Sequence, residues 1–243
     1  MRGNQPLTDL LDAPDGQRIS QLLFGESFEV EKTVGTHSFG RTECGYEGWL
    51  PCAALAEPRV ASDYVSAMGT FVYARPDMKS EVRLRLPFMA QVKVLSTENG
   101  FARIPEGYIF TKHLRADSLH DPVATAARFI GVPYLWGGRS SLGIDCSGLA
   151  QIALKSVGVS APRDSGPQAE RIGTALPLDA PLQRGDFIFW RGHVGMMTSP
   201  ETLLHATAFS MSVIAEPLAV TVARVKADGY GDITAIRRLA ARP

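Results

Sequence analysis

The sequence has few cysteines, no long apolar run and no excess of charge of either sign. Three cysteines in 243 residues are too few, and odd in number, for a disulfide framework. No window approaches the roughly 18 apolar residues that suggest a membrane span, and the N-terminus MRGNQPLTDLLDAPDGQ lacks the apolar core of a secretory signal. We therefore expect a globular protein that stays in the cytoplasm and has no membrane partner.

The charge balance also argues against nucleic acid as a partner. Lys and Arg together number 25, as do Asp and Glu, so the chain as a whole presents no net field that would attract a polyanion. A hydrophobic content of 45% and a charged content of 21% are typical of an ordinary globular chain. The length is sufficient for one large domain or for two to three small ones.

Two of the cysteines, Cys44 and Cys52, lie close together in the segment CGYEGWLPC. We favour two small buried residues, because free cysteine is commonly buried; a mutual disulfide or a metal-binding pair is the minority alternative. No histidine cluster or second close cysteine pair accompanies them, so we expect neither a metal site nor a cofactor.

The composition changes near residue 120. Before it, short β-type runs such as SFEVEKTV, TFVYARP and AQVKVLS alternate with turn residues, which is typical of small antiparallel barrels. Two copies of one plan follow each other, with a period of about 55–60 residues that indicates tandem domains. We predict a first barrel over residues 1–57 and a second over residues 62–117.

After residue 120 the pattern predicts helices first and strands afterwards. The segment DPVATAARFIG has helical apolar spacing, with Asp121 as its cap and Pro122 in its first turn. A second helix, CSGLAQIALKSVG, is expected to bury one face and to end at Gly158. Strand-like runs including DFIFW, HVGMM and TLLHA close the chain. We therefore predict an α+β domain over residues 121–243.

Cys146 lies where the second predicted helix begins, directly after a Gly-rich turn. A helix N-terminus points backbone N–H groups and the positive end of the helix dipole at the sulfur. Both favour the thiolate, which is the nucleophilic form, so we expect a lowered cysteine pKa. A lone cysteine at a helix start is more often structural, and only the neighbouring residues favour catalysis.

A thiolate nucleophile needs a base that also protonates the departing amine. Of the five histidines, His193 and His205 both lie in strand-like runs after Cys146. Neighbouring antiparallel strands would place the two side by side, one as the base and the other orienting its ring. Each histidine taken alone is better explained as a satisfied polar residue.

Four motifs appear in a characteristic order: PYLWGG at 133–138, DCSG at 145–148, PRDS at 162–165, and RGD followed by HVG within 184–195. Together they resemble the NlpC-type cell-wall cysteine peptidases over roughly residues 121–243. The resemblance implies a papain-like α+β core, with the cysteine at a helix N-terminus and the histidine on the facing sheet.

The resemblance implies that Cys146 is the nucleophile, His193 the base and His205 the polar third residue. Tyr134 matches a tyrosine beside the nucleophile that helps to bind substrate or the oxyanion. Arg163 and Asp164 are either structural or in contact with substrate. The positions that match the substrate groove are Trp136, Asp145, Ser147 and Ser165.

The N-terminal half resembles tandem bacterial Src-homology-3-like barrels. Its combination with the peptidase domain is similar to the subgroup that cleaves γ-D-glutamyl–diamino acid bonds in murein peptides. In that subgroup the first barrel recognises the free amine of an N-terminal L-Ala. Tyr46 matches the tyrosine used there, and Asp15, or second Glu26, is the expected acid.

These resemblances imply a dipeptidyl-peptidase that acts on murein tripeptides or tetrapeptides during cell-wall peptide recycling. The preference between diaminopimelate and Lys stays open. Two alternatives remain: a different acyl-transfer enzyme on the same core, such as an amidase or acyltransferase, and a non-enzymatic peptidoglycan-binding protein whose third domain is degenerate.

Overall fold

The computed structural model describes residues 1–240, which divide into two units between residues 118 and 119. Among these residues no helix is both long and apolar enough to cross a membrane. Strands fill the first unit, and all four α-helices of the described chain lie in the second.

The first barrel forms because apolar residues alternate along its strands and so share one face. Leu10, Leu22, Phe28 and Leu50 are almost fully buried and build its core. A 3-10 turn, Cys52–Ala54, follows the last long strand. The strands are β1 (Arg2–Gly3), β2 (Leu7–Leu11), β3 (Arg18–Leu23), β4 (Phe28–Val34), β5 (His37–Thr42), β6 (Glu47–Pro51) and β7 (Leu55–Ala56).

The second barrel repeats this plan and ends in an equivalent 3-10 turn, Thr111–His113. Its strands are β8 (Asp63–Val65), β9 (Gly69–Tyr73), β10 (Val82–Pro87), β11 (Gln91–Val92), β12 (Ser96–Glu98), β13 (Phe101–Ile104), β14 (Gly107–Phe110) and β15 (Leu114–Arg115). The five-stranded sheets have the orders β3-β2-β6-β5-β4 and β10-β9-β14-β13-β12, so corresponding strands pair in the same way. The two five-stranded sheets therefore share one topology.

The two barrels share apolar surface and form one unit. Phe24, from the first barrel, belongs to the buried core of the second. The backbone N–H of Gln91 donates to the carbonyl of Phe24 at 2.8 Å.

Cys44 and Cys52 are both free and partly exposed. Cys52 Sγ lies 3.2 Å from Ser38 Oγ, and Cys44 Sγ lies 3.3 Å from Thr42 Oγ1. The disulfide alternative is therefore wrong, and so is the expectation that both side chains are buried.

The second unit packs helices against an antiparallel sheet. The six-stranded sheet has the order β18-β23-β19-β20-β21-β22. The elements are α1 (Pro122–Ala127), β16 (Arg139–Ser140), β17 (Gly143–Ile144), α2 (Cys146–Ser156), α3 (Ser165–Arg171), β18 (Thr174–Leu176), β19 (Phe187–Trp190), β20 (His193–Met197), β21 (Thr202–Thr207), β22 (Ser212–Pro217), α4 (Leu218–Ala227) and β23 (Ala235–Arg238).

Both predicted helices are present where the sequence placed them. The Asp121 side chain accepts hydrogen bonds from the first-turn N–H groups of α1, and Pro122 is its first residue. Helix α2 differs from expectation, because all its residues except Lys155 are buried rather than those of one face only. The reason is that α2 packs against α1, α3 and the strands β20 and β21 together.

Candidate active site

Cys146 is the first residue of α2, and Asp145 is the cap that precedes it. Asp145 Oδ1 accepts a hydrogen bond from the backbone N–H of Gly148 at 2.7 Å, which satisfies a donor that a helix N-terminus leaves free. Asp145 Oδ2 accepts from the N–H of Gly137 at 2.8 Å. One carboxylate therefore joins the Gly-rich turn to the helix and places the sulfur at the helix end.

Glycine is required where this turn meets the helix. Gly137 has a φ of 76°, which side-chain-bearing residues rarely adopt. A Cβ on Gly148 would lie 2.3 Å from the carbonyl oxygen of Gly138. The turn is therefore tight, and the start of the helix approaches its backbone closely.

Arg163 forms a two-pronged ion pair with Asp145. Its guanidinium nitrogens donate to Oδ2 at 2.6 Å and to Oδ1 at 3.0 Å, and Nη1 also donates to Ser147 Oγ at 2.9 Å. The Arg163 side chain is 1% exposed and that of Asp145 is 8% exposed. Of the roles left open for Arg163, the structural one is therefore observed. The Asp145 carboxylate is already engaged by protein donors, and its contact with substrate stays a prediction.

The sulfur of Cys146 lies beside the start of β20, the strand that begins at His193. Its distance to the carbonyl oxygen of Gly192 is 4.0 Å. The backbone N–H groups of Val194 and Ser147 also point at the sulfur. The packing of α2 on the sheet thus brings the predicted nucleophile and the predicted base to one site.

Behind His193 runs a line of hydrogen-bonded side chains. His193 Nε2 lies 2.7 Å from His205 Nδ1, and His205 Nε2 lies 2.9 Å from Glu216 Oε1. The two histidines occupy the neighbouring antiparallel strands β20 and β21, as the sequence predicted, and Glu216 follows on β22. His205 is 1% exposed.

Burial changes the proton affinity of the nucleophile. It raises the pKa of the Cys146 thiol to about 12; the Asp145 carboxylate adds to the rise, and the N–H of Val194 opposes it. The expectation that the helix end would lower this pKa is therefore wrong for the substrate-free site. Removal of the sulfur from water outweighs the helix dipole.

Burial acts on the base in the opposite sense. It lowers the pKa of His193 to about 3, and the neighbouring His205 and Arg224 add to the shift. The pKa of His205 is also lowered, chiefly by burial. Near neutral pH the free site therefore holds a neutral thiol and two neutral imidazoles, so charge separates only as the sulfur attacks.

The other predicted groove residues surround this site in different ways. Burial raises the pKa of the Tyr134 phenol, and the nearby Cys146 and Asp145 add to the rise, so the phenol keeps its proton and can donate it. Trp136 is 69% exposed, so it is not a core residue. Ser147 and Ser165 are buried at the first turns of α2 and α3.

The residues predicted to recognise the substrate amine lie in the first barrel. Tyr46 is partly buried against its apolar core. Asp15 is at a turn with a φ of 58°, and its side chain is 92% exposed. Glu26 is buried, and its carboxylate accepts from the N–H of Leu23 at 2.9 Å. Of the two candidate acids, Asp15 alone has an exposed carboxylate.

Glu216 is the site residue that sequence reasoning missed. It directly follows the strand-like run SVIA, where an acid is unremarkable. Its place beside His205 results from the pairing of β21 with β22, in which Leu203 is opposite Glu216 and His205 is opposite Ile214. No motif signals this register.

Comparison with known proteins agrees with the fold. The NlpC/P60 family matches residues 131–226, and the bacterial dipeptidyl-peptidase Sh3 domain matches residues 10–55. A γ-D-glutamyl-L-lysine dipeptidyl-peptidase of Bacillus subtilis is 29% identical over 80% of this chain and 74% of its own length. Dipeptidyl-peptidase 6 of Lysinibacillus sphaericus is 30% identical over 83% of this chain and 85% of its own length.

A solved structure shows the same fold along the whole chain. The crystal structure of an NlpC/P60 family protein from Bacillus cereus covers 99% of both chains, with a TM-score of 0.83 at 22% identity. It supports the papain-like α+β domain behind an all-β, Src-homology-3-like region that the sequence predicted. By its sequence and its fold, this chain belongs to the NlpC/P60 family of cysteine peptidases and carries a bacterial Src-homology-3-like domain ahead of its peptidase domain.

Proposed function

We propose that this protein is a dipeptidyl-peptidase that hydrolyses the γ-D-glutamyl–diamino acid bond of murein peptides with a free N-terminal L-Ala. The observation that carries the proposal is the placement of Cys146 at the start of α2, beside the strand that begins at His193. Relatives named γ-D-glutamyl-L-lysine dipeptidyl-peptidases support the bond and the length of the product. The natural substrate would be a murein tripeptide or tetrapeptide.

Acylation begins with attack of Cys146 Sγ on the γ-carbonyl of D-Glu. The thiol proton passes to His193, which then gives it to the departing amine of the diamino acid. The backbone N–H groups of Cys146 and Ser147 at the start of α2 are candidate donors to the oxyanion. The protonated phenol of Tyr134 lies near the sulfur and is a further candidate donor.

Deacylation uses the same base in reverse. The neutral His193 takes a proton from water, and the hydroxide attacks the thioester carbonyl. The C–S bond then breaks and the sulfur recovers its proton from His193. The dipeptide L-Ala-D-Glu leaves, and no cofactor takes part in this scheme.

Recognition of the substrate amine would decide which peptides are cut. A carboxylate such as that of Asp15, together with Tyr46, would favour a charged amine over an acylated one, because acylation removes the charge and adds bulk. Such an enzyme suits short recycled peptides in the cytoplasm more than intact cell wall.

Analysis of products from a defined tripeptide tests the proposal. With L-Ala-γ-D-Glu-diaminopimelate we expect mass spectrometry to show L-Ala-D-Glu and free diaminopimelate, and with the N-acetylated peptide we expect little cleavage. Incorporation of an added amine in place of water would indicate an acyltransferase. Absence of any product at high enzyme concentration would support a binding protein instead.

Replacement of Tyr46 by alanine tests amine recognition. We expect KM for the free-amine peptide to rise by roughly tenfold, the size of one lost hydrogen bond to a charged group. KM for the acetylated peptide should change little. Tyr46→Phe keeps the ring that packs on the barrel core and removes the hydroxyl alone, so it should show the same rise without a change in packing. Equal effects on both peptides would reject the role of Tyr46.

A further inference from the structure

The line of hydrogen bonds behind the catalytic pair continues past His205 to Glu216. Three side chains converge on the Glu216 carboxylate. His205 Nε2 lies 2.9 Å from Oε1, Thr221 Oγ1 donates to Oε1 at 2.9 Å, and Arg224 Nη1 donates to Oε2 at 3.0 Å. Arg224 Nη2 makes a further short contact with Oε1. The carboxylate is thus bound by both of its oxygens.

The surroundings of Glu216 keep it ionised and in place. Arg224 is the main reason that the pKa of Glu216 falls to about 2, and Thr221 and His205 lower it further. The Glu216 and Arg224 side chains are each 14% exposed, and Thr221 is fully buried. The Arg224 guanidinium also lies over the Phe209 ring, 4.1 Å from its centroid. Arg224 is thereby held on two sides.

An ionised carboxylate accepts hydrogen bonds and donates none. His205 Nε2 must therefore carry the hydrogen that it shares with Glu216. Because His205 is neutral, its Nδ1 then has only a lone pair and accepts the hydrogen of His193 Nε2. Nδ1 of the neutral His193 is left unprotonated, and this is the nitrogen that can take the thiol proton.

We propose that Glu216 is a positioning residue that sets the tautomers of His205 and His193, so that the lone pair of His193 Nδ1 is available to the thiol of Cys146. The inference rests on the proposed roles of Cys146 and His193 and deepens them. It also assigns a role to Arg224 and Thr221, because both hold the Glu216 carboxylate in place beside His205.

The same arrangement supports the charge that develops during attack. When His193 takes the thiol proton it becomes a cation, and its Nε2–H still donates to His205. Glu216 lies on the far side of His205 from His193, and its negative charge stabilises that cation through His205. Arg224 keeps Glu216 from accepting the proton itself, so the proton stays on His193 for the leaving amine.

The tautomers can be read directly in the unaltered protein. Ring-nitrogen NMR of the ¹⁵N-labelled enzyme at neutral pH should show His193 with Nε2 protonated and Nδ1 unprotonated, and His205 in the same form. The opposite tautomer of either ring would overturn the proposal. This measurement needs no peptide, so it fails or succeeds independently of substrate identity.

Glu216→Gln tests the role in turnover. The glutamine amide is of nearly the same size but offers an N–H₂ donor, which can force a hydrogen onto His205 Nδ1 and so onto His193 Nδ1. We expect kcat to fall by roughly 10²-fold with little change in KM, less than the ~10⁴-fold loss seen when the direct partner of a catalytic histidine loses its charge. Glu201→Gln is the matched control, because Glu201 is exposed and its carboxylate accepts from Ser199; it should behave as wild type.

Glu216→Asp separates charge from packing. Aspartate is shorter, yet it remains an acceptor with a negative charge, so it should retain more kcat than glutamine and show the wild-type tautomers. If glutamine matches or exceeds aspartate, the residue acts through size alone and the proposal is wrong. Alkylation by iodoacetamide needs no peptide, and Cys44 and Cys52 serve as internal references. Cys146 should be alkylated fastest in the wild type, more slowly in Glu216→Asp and most slowly in Glu216→Gln. Normal alkylation together with absent peptide cleavage would instead count against the proposed substrate.

Discussion

Replacement of Cys146 by alanine is expected to abolish peptide hydrolysis while the fold is retained. In the proposed mechanism the sulfur forms the acyl-enzyme bond, and the hydroxyl of the neighbouring Ser147 is instead hydrogen-bonded to Asp145 and Arg163. Loss of a covalent nucleophile reduces turnover by roughly 10⁴- to 10⁶-fold. The measurement is release of the dipeptide from L-Ala-γ-D-Glu-diaminopimelate, followed by mass spectrometry.

The matched control is the double substitution of Cys44 and Cys52 by alanine. Both cysteines are free and lie in the first unit, so their removal should leave turnover unchanged. Cys146→Ala should still bind the peptide, because one small atom is removed and the helix cap Asp145 stays in place. Turnover retained in Cys146→Ala would end the proposed mechanism.

Replacement of Arg163 by methionine is expected to lower the free energy of unfolding of the second unit strongly. The side chain is 1% exposed, and it satisfies both oxygens of Asp145 as well as Ser147 Oγ. Its removal leaves a carboxylate without its counter-charge in the interior, which costs about 3–5 kcal/mol. We expect earlier denaturant unfolding of the second unit and faster amide hydrogen exchange in α2.

Two further variants separate the ion pair from a general effect of methionine. Arg171→Met changes an exposed arginine of α3 and should unfold as wild type does. The double variant Arg163→Met with Asp145→Asn should recover part of the loss, because asparagine can still cap α2 and no longer carries a charge. A double variant no more stable than Arg163→Met would mean that the ion pair is not the reason for the loss.

The local elements of the second unit were predictable because their signals are short-range. Asp121 and Pro122 start α1, and Cys146 starts α2, as the sequence indicated; the cap Asp145 was predicted only as a groove residue. The burial of α2 on nearly all sides was not predictable, because it depends on how many elements pack around the helix. The repeated barrel plan was visible as a periodicity, whereas the insertion of Phe24 into the core of the second barrel was not.

The residues of the site also differ in whether the sequence was enough to predict their contacts. Adjacent strands were enough to predict that His193 and His205 would meet, since alternation and strand order bring their rings together. Arg163 was noticed without a definite role, and Glu216 was not noticed at all. Both are 18 or fewer residues from their partners along the chain, yet the contact depends on the register of β22 and on the path of the chain between α2 and α3.

The sequence by itself determined the fold class, the nucleophile candidate and the order of the catalytic motifs, because caps, turns and strand alternation are encoded by neighbouring residues. The tertiary structure alone decided the proton affinities of the site. Burial raises the pKa of Cys146 and lowers that of His193, against the effect expected of an isolated helix end. Desolvation and partner charges depend on every element packed around a group, and no single segment of the chain carries that information.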